Sequence, residues 1–125
     1  MGANPFPLDL DGSDHGVAAK LIGSSETSIT AFAGGGQANG RLLNATLSRV
    51  TTVASAGDSV KLPVAKAGCF MLVQNSAAAN SMNVFPNTGD AIAAGAANAA
   101  FAVAAGKSAY FFCAANGFWG AVLSA

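Results

Sequence analysis

Apolar segments of strand length alternate with Gly, Asn and Pro punctuation along this chain, most clearly over residues 82–119. Met82, Val84 and Pro86 alternate with Asn83 and Phe85, the period of a strand with one face in a core. Pro86 ends that strand or places it at a sheet edge. Residues 87–90 form a turn. Residues 91–100 are Ala-rich and carry helix propensity, but Gly95 and Asn98 interrupt them and no apolar stripe at helical spacing accompanies them. They read as a loop with a short extended piece at Ala91 and Ile92. Residues 99–104, 108–114 and 118–123 predict three closing strands. Asn116 and Gly117 suit a tight hairpin turn between the last two, because both tolerate positive φ.

Upstream, residues 69–74 form a continuous apolar run, which predicts a central strand buried on both faces. Ser59, Val60, Lys61 and Leu62 alternate and stop at Pro63. Residues 44–54 alternate around Leu47, Val50 and Val53, a long strand with room for a bulge. Residues 27–32 predict another strand, and residues 17–23 either a strand or a short helical turn. Strands spaced about 8–12 residues apart have the rhythm of an all-β sandwich or barrel, and no repeat of solenoid period stands out. Residues 34–40, Gly-Gly-Gly-Gln-Ala-Asn-Gly, read as a flexible linker or wide loop. Before them, Pro5 and Pro7 oppose helix, and residues 9–16 make a polar, turn-like patch. The expected organisation is an extended N-terminal arm and Gly-rich linker over 1–40, and a β-sandwich or barrel domain over 41–125.

Composition adds a statement about surfaces. With 125 residues the chain can bury a core without disulfides or metal. Charged residues make up only 10% of it, against about 25% in an ordinary globular protein. Six basic and six acidic side chains cancel. A neutral, charge-poor surface promotes association, so copies of the chain or a larger assembly are expected to cover much of it. Lys20, Arg41, Arg49, Lys61, Lys66 and Lys107 are scattered, which argues against nucleic acid as a partner. The uncharged stretches 67–89 and 108–125 are broken by Asn, Gly and Pro, so neither is a continuous apolar span of about twenty residues. No membrane partner is expected. The opening Met-Gly-Ala-Asn-Pro lacks the basic region and apolar run of a secretory signal. Cys69 and Cys113 both sit in apolar strand-like runs and read as buried free thiols acting as small hydrophobes, with a disulfide between neighbouring strands as the alternative.

Candidate chemistry is sparse. Gly106, Lys107 and Ser108 resemble the end of a phosphate-binding loop, but position 101 is Phe where that motif needs Gly; a hairpin turn fits better. Gly34, Gly35 and Gly36 lack the strand–helix context of a dinucleotide site. His15 is the sole histidine, with no rigid serine partner in prospect. Asp9, Asp11 and Asp14 beside it lack the Gly and terminal Glu of a calcium loop. Glu26, Asp58 and Asp90 are isolated in sequence. Tyr110, Phe111, Phe112 and Trp119 could stack on sugars or bases, but alternation in strands favours core packing. The expectation is no catalytic set, no cofactor, no metal and no enzymatic activity.

A further set of short segments carries a resemblance. Ser48-Arg49-Val50-Thr51-Thr52-Val53, Ser59-Val60-Lys61-Leu62-Pro63, Met82-Asn83-Val84-Phe85-Pro86 and Thr88-Gly89-Asp90-Ala91-Ile92 occur in this order. Ala104-Ala105-Gly106-Lys107 and a closing aromatic strand with Trp119 follow. Over about two thirds of its length the chain resembles small β-rich structural proteins of tailed bacteriophages and prophages, most of all capsid decoration, or cement, proteins. The resemblance implies a compact barrel or jelly-roll-like module, a homotrimer, and the major capsid protein as partner. It implies synthesis in the bacterial host cytoplasm and a place on the outer capsid surface, holding neighbouring capsomers together. No capsid-binding motif marks the attachment point. On this reading Phe6, Leu8 and Leu10 in the arm, with Ile29 and Phe32 before the linker, are the expected protein contacts. A tail or fibre module, or a carbohydrate-binding β-sandwich, is the alternative; exposed Tyr110 and Trp119 would favour it.

Overall fold

Ten strands make up the described part of the chain, residues 24–125 of a computed structural model, and no helix occurs among those residues. They are β1 (Ser25–Thr30), β2 (Arg41–Leu42), β3 (Leu47–Thr52), β4 (Ser59–Lys61) and β5 (Phe70–Asn75). Then come β6 (Met82–Phe85), β7 (Ala91–Ile92), β8 (Phe101–Val103), β9 (Ser108–Ala115) and β10 (Phe118–Leu123). Two sheets share one core. The larger has the order β1-β3-β5-β9-β10-β7, the smaller β2-β4-β6-β8.

The chain alternates between these sheets from β1 to β6, and each return lays a strand parallel to the one before. Ser25 pairs with Leu47, and Leu47 with Leu72. On the other side Arg41 pairs with Val60, and Val60 with Val84. Parallel neighbours cannot be joined by a tight hairpin; here the crossover runs through the opposite sheet. The result is a β-solenoid-like stack of three circuits. The winding then reverses. β8 runs antiparallel to β6, β9 antiparallel to β5, and β10 antiparallel to β9. The expected all-β architecture is present. The jelly-roll-like arrangement is replaced by this winding, because a jelly roll is built from antiparallel strands and the first six strands pair only in parallel among themselves.

Alternation along each strand fills the space between the sheets. Ile29, Val50, Met71, Val73, Phe111 and Trp119 point inward from the larger sheet and meet Val60, Met82, Val84 and Val103 from the smaller. Phe101 closes on Phe111 edge-on, with ring centroids 5.5 Å apart. Leu43 and Leu62, just past β2 and β4, are completely buried at the corners.

Polar side chains complete those corners. Asn75, buried at the end of β5, donates from Nδ2 to the carbonyls of Val103 and Asn80, at 2.9 and 3.1 Å. Its Oδ1 accepts from the Ala77 N–H at 3.1 Å. Asn80, at φ 78°, donates in turn to the carbonyls of Val53 and Ala54. Asp58, also buried, accepts from the backbone N–H groups of Gly34 and Ser55.

Asp58 thereby holds down the Gly-rich segment expected to be a flexible linker or wide loop. That segment is packed. The Ser59 hydroxyl donates to the Gly36 carbonyl and accepts from the Gly36 N–H. A Cβ at Gly35 would lie 2.0 Å from Ser59 Oγ and 3.0 Å from the Phe32 carbonyl oxygen. Immediately before it, β1 is paired with β3, and Ile29 and Ala31 are core residues. Of the expected arm, residues 1–23 lie outside the described residues, the strand or turn foreseen at 17–23 among them.

Other local expectations are corrected by the same geometry. β5 is central but buried on one face only, because Phe70, Leu72 and Gln74 point outward. Leu47 likewise points out while Ser48 and Val50 point in. Gly106, Lys107 and Ser108 turn the chain from β8 in one sheet to β9 in the other, so the turn is a corner rather than a hairpin. At Asn116 and Gly117 the hairpin is present, but only Gly117 takes positive φ, at 87°. Ala91 and Ile92 form the short strand expected of them, and β6 ends at Phe85 before Pro86.

Replacing Asn75 with Ala removes three hydrogen bonds from a dry corner and should cost about 3 kcal/mol, read as a shift of the urea midpoint. Gly35→Ala should cost about 1–3 kcal/mol, because the loop must lift from Ser59. An unchanged midpoint for either variant would show that the corner or loop is not part of the cooperative unit.

Candidate interaction face

The outward side chains of the larger sheet make its outer surface apolar. On β5 Met71, Val73 and Asn75 go to the core, leaving Phe70 and Leu72 outside. On β9 Ala109, Phe111 and Cys113 go inward, leaving Tyr110 and Phe112. On β10 Trp119 is inward at 2% exposure, whereas Phe118 and Val122 stand out at 64% and 58%. Strand register aligns these positions. Leu47, Leu72, Tyr110 and Val122 form one row across four strands. Phe70, Phe112 and Gly120 form the next.

Aromatic contacts knit the two rows together. The Tyr110 ring lies 6.2 Å from Phe70 and 5.7 Å from Phe112. Phe112 covers Gly120, where a Cβ would come within 2.2 Å of the ring. An aromatic laid over a strand glycine restores the packing that the missing side chain gives up. Sheets with a solvated face usually carry polar residues there. With exposures of 38–64%, the outward Leu, Phe, Tyr and Val residues present roughly 600 Å² to solvent. That stands at the top of the range for the largest patch on a typical monomer, roughly 300–600 Å².

The apolar rows end in a polar border at β1 and β3. A groove of about 310 Å³ runs there between Leu47, Leu72, Glu26, Thr27, Arg49 and Gln74. Arg49 Nη1 donates to Thr27 Oγ1 at 3.2 Å, and Glu26 is paired with Arg41. A smaller recess of about 140 Å³ lies among Asn44, Thr46, Pro63, Cys69 and Trp119. Cys69 is exposed rather than buried, Cys113 is buried as expected, and both are free thiols. The Sγ of Cys113 donates to the Ala115 carbonyl. Trp119 Nε1 is buried without an acceptor.

No group of three or more His, Cys, Asp or Glu side chains converges among the described residues. Their carboxylates have structural partners: Asp58 the loop N–H groups above, Asp90 the Ala65 N–H at 2.9 Å, and Glu26 the Arg41 guanidinium. Of the contact residues expected from sequence, Phe6, Leu8 and Leu10 lie outside the described residues, as do His15, Asp9, Asp11 and Asp14. Ile29 is buried in the core of its own chain, and Phe32 is 45% exposed. The outer rows were not foreseen. Their signal lay in two segments, 69–73 and 110–113, that are apolar at both alternate sets of positions, a pattern equally produced by burial on both faces.

No family model, curated protein or solved structure matches the chain.

Trp119 is the only tryptophan, so its environment can be read directly. Its fluorescence should be blue-shifted and resist quenching by iodide until the protein unfolds. Trp119→Phe should cost less than the ~3–5 kcal/mol typical of truncating a buried large aromatic, because it keeps most of the ring and removes an unpartnered donor that costs about 1–3 kcal/mol. Emission typical of exposed indole in the folded protein would contradict the burial.

Proposed function

We propose that the chain is a structural virion protein of a tailed bacteriophage, a capsid decoration or cement protein acting on the outer head surface. The observation that carries this reading is the broad uncharged face on a body whose described carboxylates are all engaged in holding loops and strands. Such a molecule works by contact rather than by bond chemistry, and its function is non-enzymatic. The resemblance in segments 48–53, 59–63, 82–86 and 88–92 supplies the phage setting. Those segments fall on strands and turns of the scaffold.

In this role the chain forms a homotrimer and binds across neighbouring copies of the major capsid protein. Apolar burial at about 25 cal/mol per Å² supplies the free energy that opposes expansion of the shell under packaged DNA. Phe6, Leu8 and Leu10 would add area where the N-terminal segment meets a neighbour. Ordering that segment costs about 1–2 kcal/mol per residue, so it contributes only if it docks extensively. The protein is made in the host cytoplasm and joins the head there.

One observation favours the alternative, a tail or fibre module that binds carbohydrate. Tyr110 is 40% exposed between Phe70 and Phe112, an arrangement on which a sugar ring could stack. Burial of Trp119 takes away the larger ring, so the cement reading is preferred.

Purified chain mixed with undecorated heads of its phage should co-sediment with them, raise the temperature at which they release DNA, and give density at capsomer junctions in electron micrographs. Density confined to tails would replace this reading with the alternative. Absence from virions altogether would remove both.

A further inference from the structure

We propose that the outer face of the six-stranded sheet, centred on Tyr110, is the surface through which one copy of this chain packs against the corresponding face of a second copy. A contact of this kind is two-fold and closes a dimer, so it is additional to the trimer of the reading above and rests on that reading only for its biological setting.

Three observations select this occupant. The first is chemistry. The rows Leu47–Leu72–Tyr110–Val122 and Phe70–Phe112–Gly120 carry no charge, and the whole chain has formal net charge zero. Laying these rows of one copy on those of another therefore brings no like charges together within the rows. A strongly charged partner would find no counter-charge on these rows. The ionic groups Glu26 and Arg49 stand at the β1 border, where a rim remains wet.

The second is area. Roughly 600 Å² per copy, about 1,200 Å² over two copies, reaches the lower end of a standard stable interface. Sheets stack face to face at about 10 Å, a spacing that lets Leu, Phe and Tyr side chains from two such faces interdigitate. The aromatic trio Phe70, Tyr110 and Phe112 sits in the middle of the patch, where binding energy concentrates.

The third is the state of the sheet edges. Assembly by adding strands needs a regular, unprotected edge. β1 has Ser28 at φ 60° and register shifts on both sides of Ile29, so its edge is bulged. Its Glu26 is paired with Arg41 of β2. The opposite edge, β7, is only two residues long. Both edges of this sheet are poor templates, and the smaller sheet ends in β2 and β8, only two and three residues long, which favours the face as the means of association.

The test is sedimentation of the full chain at micromolar concentrations, comparing wild type with the double variant Tyr110→Arg, Val122→Arg. Both side chains are well exposed, and circular dichroism checks that the β spectrum is kept. Wild type should sediment well above the 12.2 kDa monomer, and the double variant should raise the apparent dissociation constant at least tenfold. Val64→Arg, an exposed position in the connection between β4 and β5, should leave assembly unchanged. If the double variant misfolds, Val122→Arg on the last strand serves alone, with the same direction expected. A monomeric wild type overturns the proposal. So does an oligomer that survives the face variants, or one that Val64→Arg dissociates equally. The measurement uses no capsid, so a failure to bind heads with self-association intact rejects the virion reading and leaves this one standing.

Discussion

Satisfying backbone polar groups where the chain leaves one sheet for the other is the constraint on which this structure depends. Parallel winding places a change of direction at the end of every strand. At each such corner the N–H and C=O groups lose their ladder partners while the adjoining residues are buried. Side-chain amides and carboxylates stand in for the missing ladder. Asn75 joins the end of β5 to the end of β8 and to the loop before β6. Asn98 accepts from Gln37 and from the Gly89 N–H, and Asn116 accepts from the Ala67 N–H. Residues of unremarkable loop composition are thus the joints of the stack. Asn75 and Asp58 make these bonds at buried corners of the core, and Asn98 and Asn116 make theirs at exposed turns.

The larger sheet then presents two apolar faces with different fates. The inner face is sealed by the smaller sheet. The outer face has no covering element among the described residues and no charge along its two central rows. Phe112 over Gly120 shows that this surface is organised rather than merely greasy: ring and glycine are matched to one another across β9 and β10. Retaining a patch of this size is costly for a free monomer, since it invites association. A molecule whose working state is an assembly turns the same property into specificity of contact.

How far the sequence discloses this depends on the range of the interaction. Strand alternation is local, so β6, β7, β9 and β10 were legible almost residue by residue, as was the hairpin at Gly117. The winding was not. Its circuits differ in length, 22 residues from Ser25 to Leu47 and 25 from Leu47 to Leu72, and the stacked residues are chemically unlike. No period therefore appears, although the strands repeat in space. The Gly-rich segment was open between flexible linker and wide loop for a related reason. Flexibility and close approach both call for glycine, and only the position of Ser59 under Gly35 decides between them. For the interaction face the ambiguity was in the strands themselves. A run such as Phe70-Met71-Leu72-Val73 is apolar on both sides, and whether a second layer covers its outer side is a tertiary fact.

The insertion of β9 between β5 and β10 has a consequence for the order of events on the ribosome. The three parallel circuits are complete when Phe85 emerges, but the free edge of β5 is paired only by residues 108–115. Until then the nascent chain exposes a growing end that could accept a strand from any neighbour. Once β9 is laid down in the opposite direction, that edge is occupied and the stack has a fixed length. The C-terminal hairpin therefore acts as a terminator of the winding.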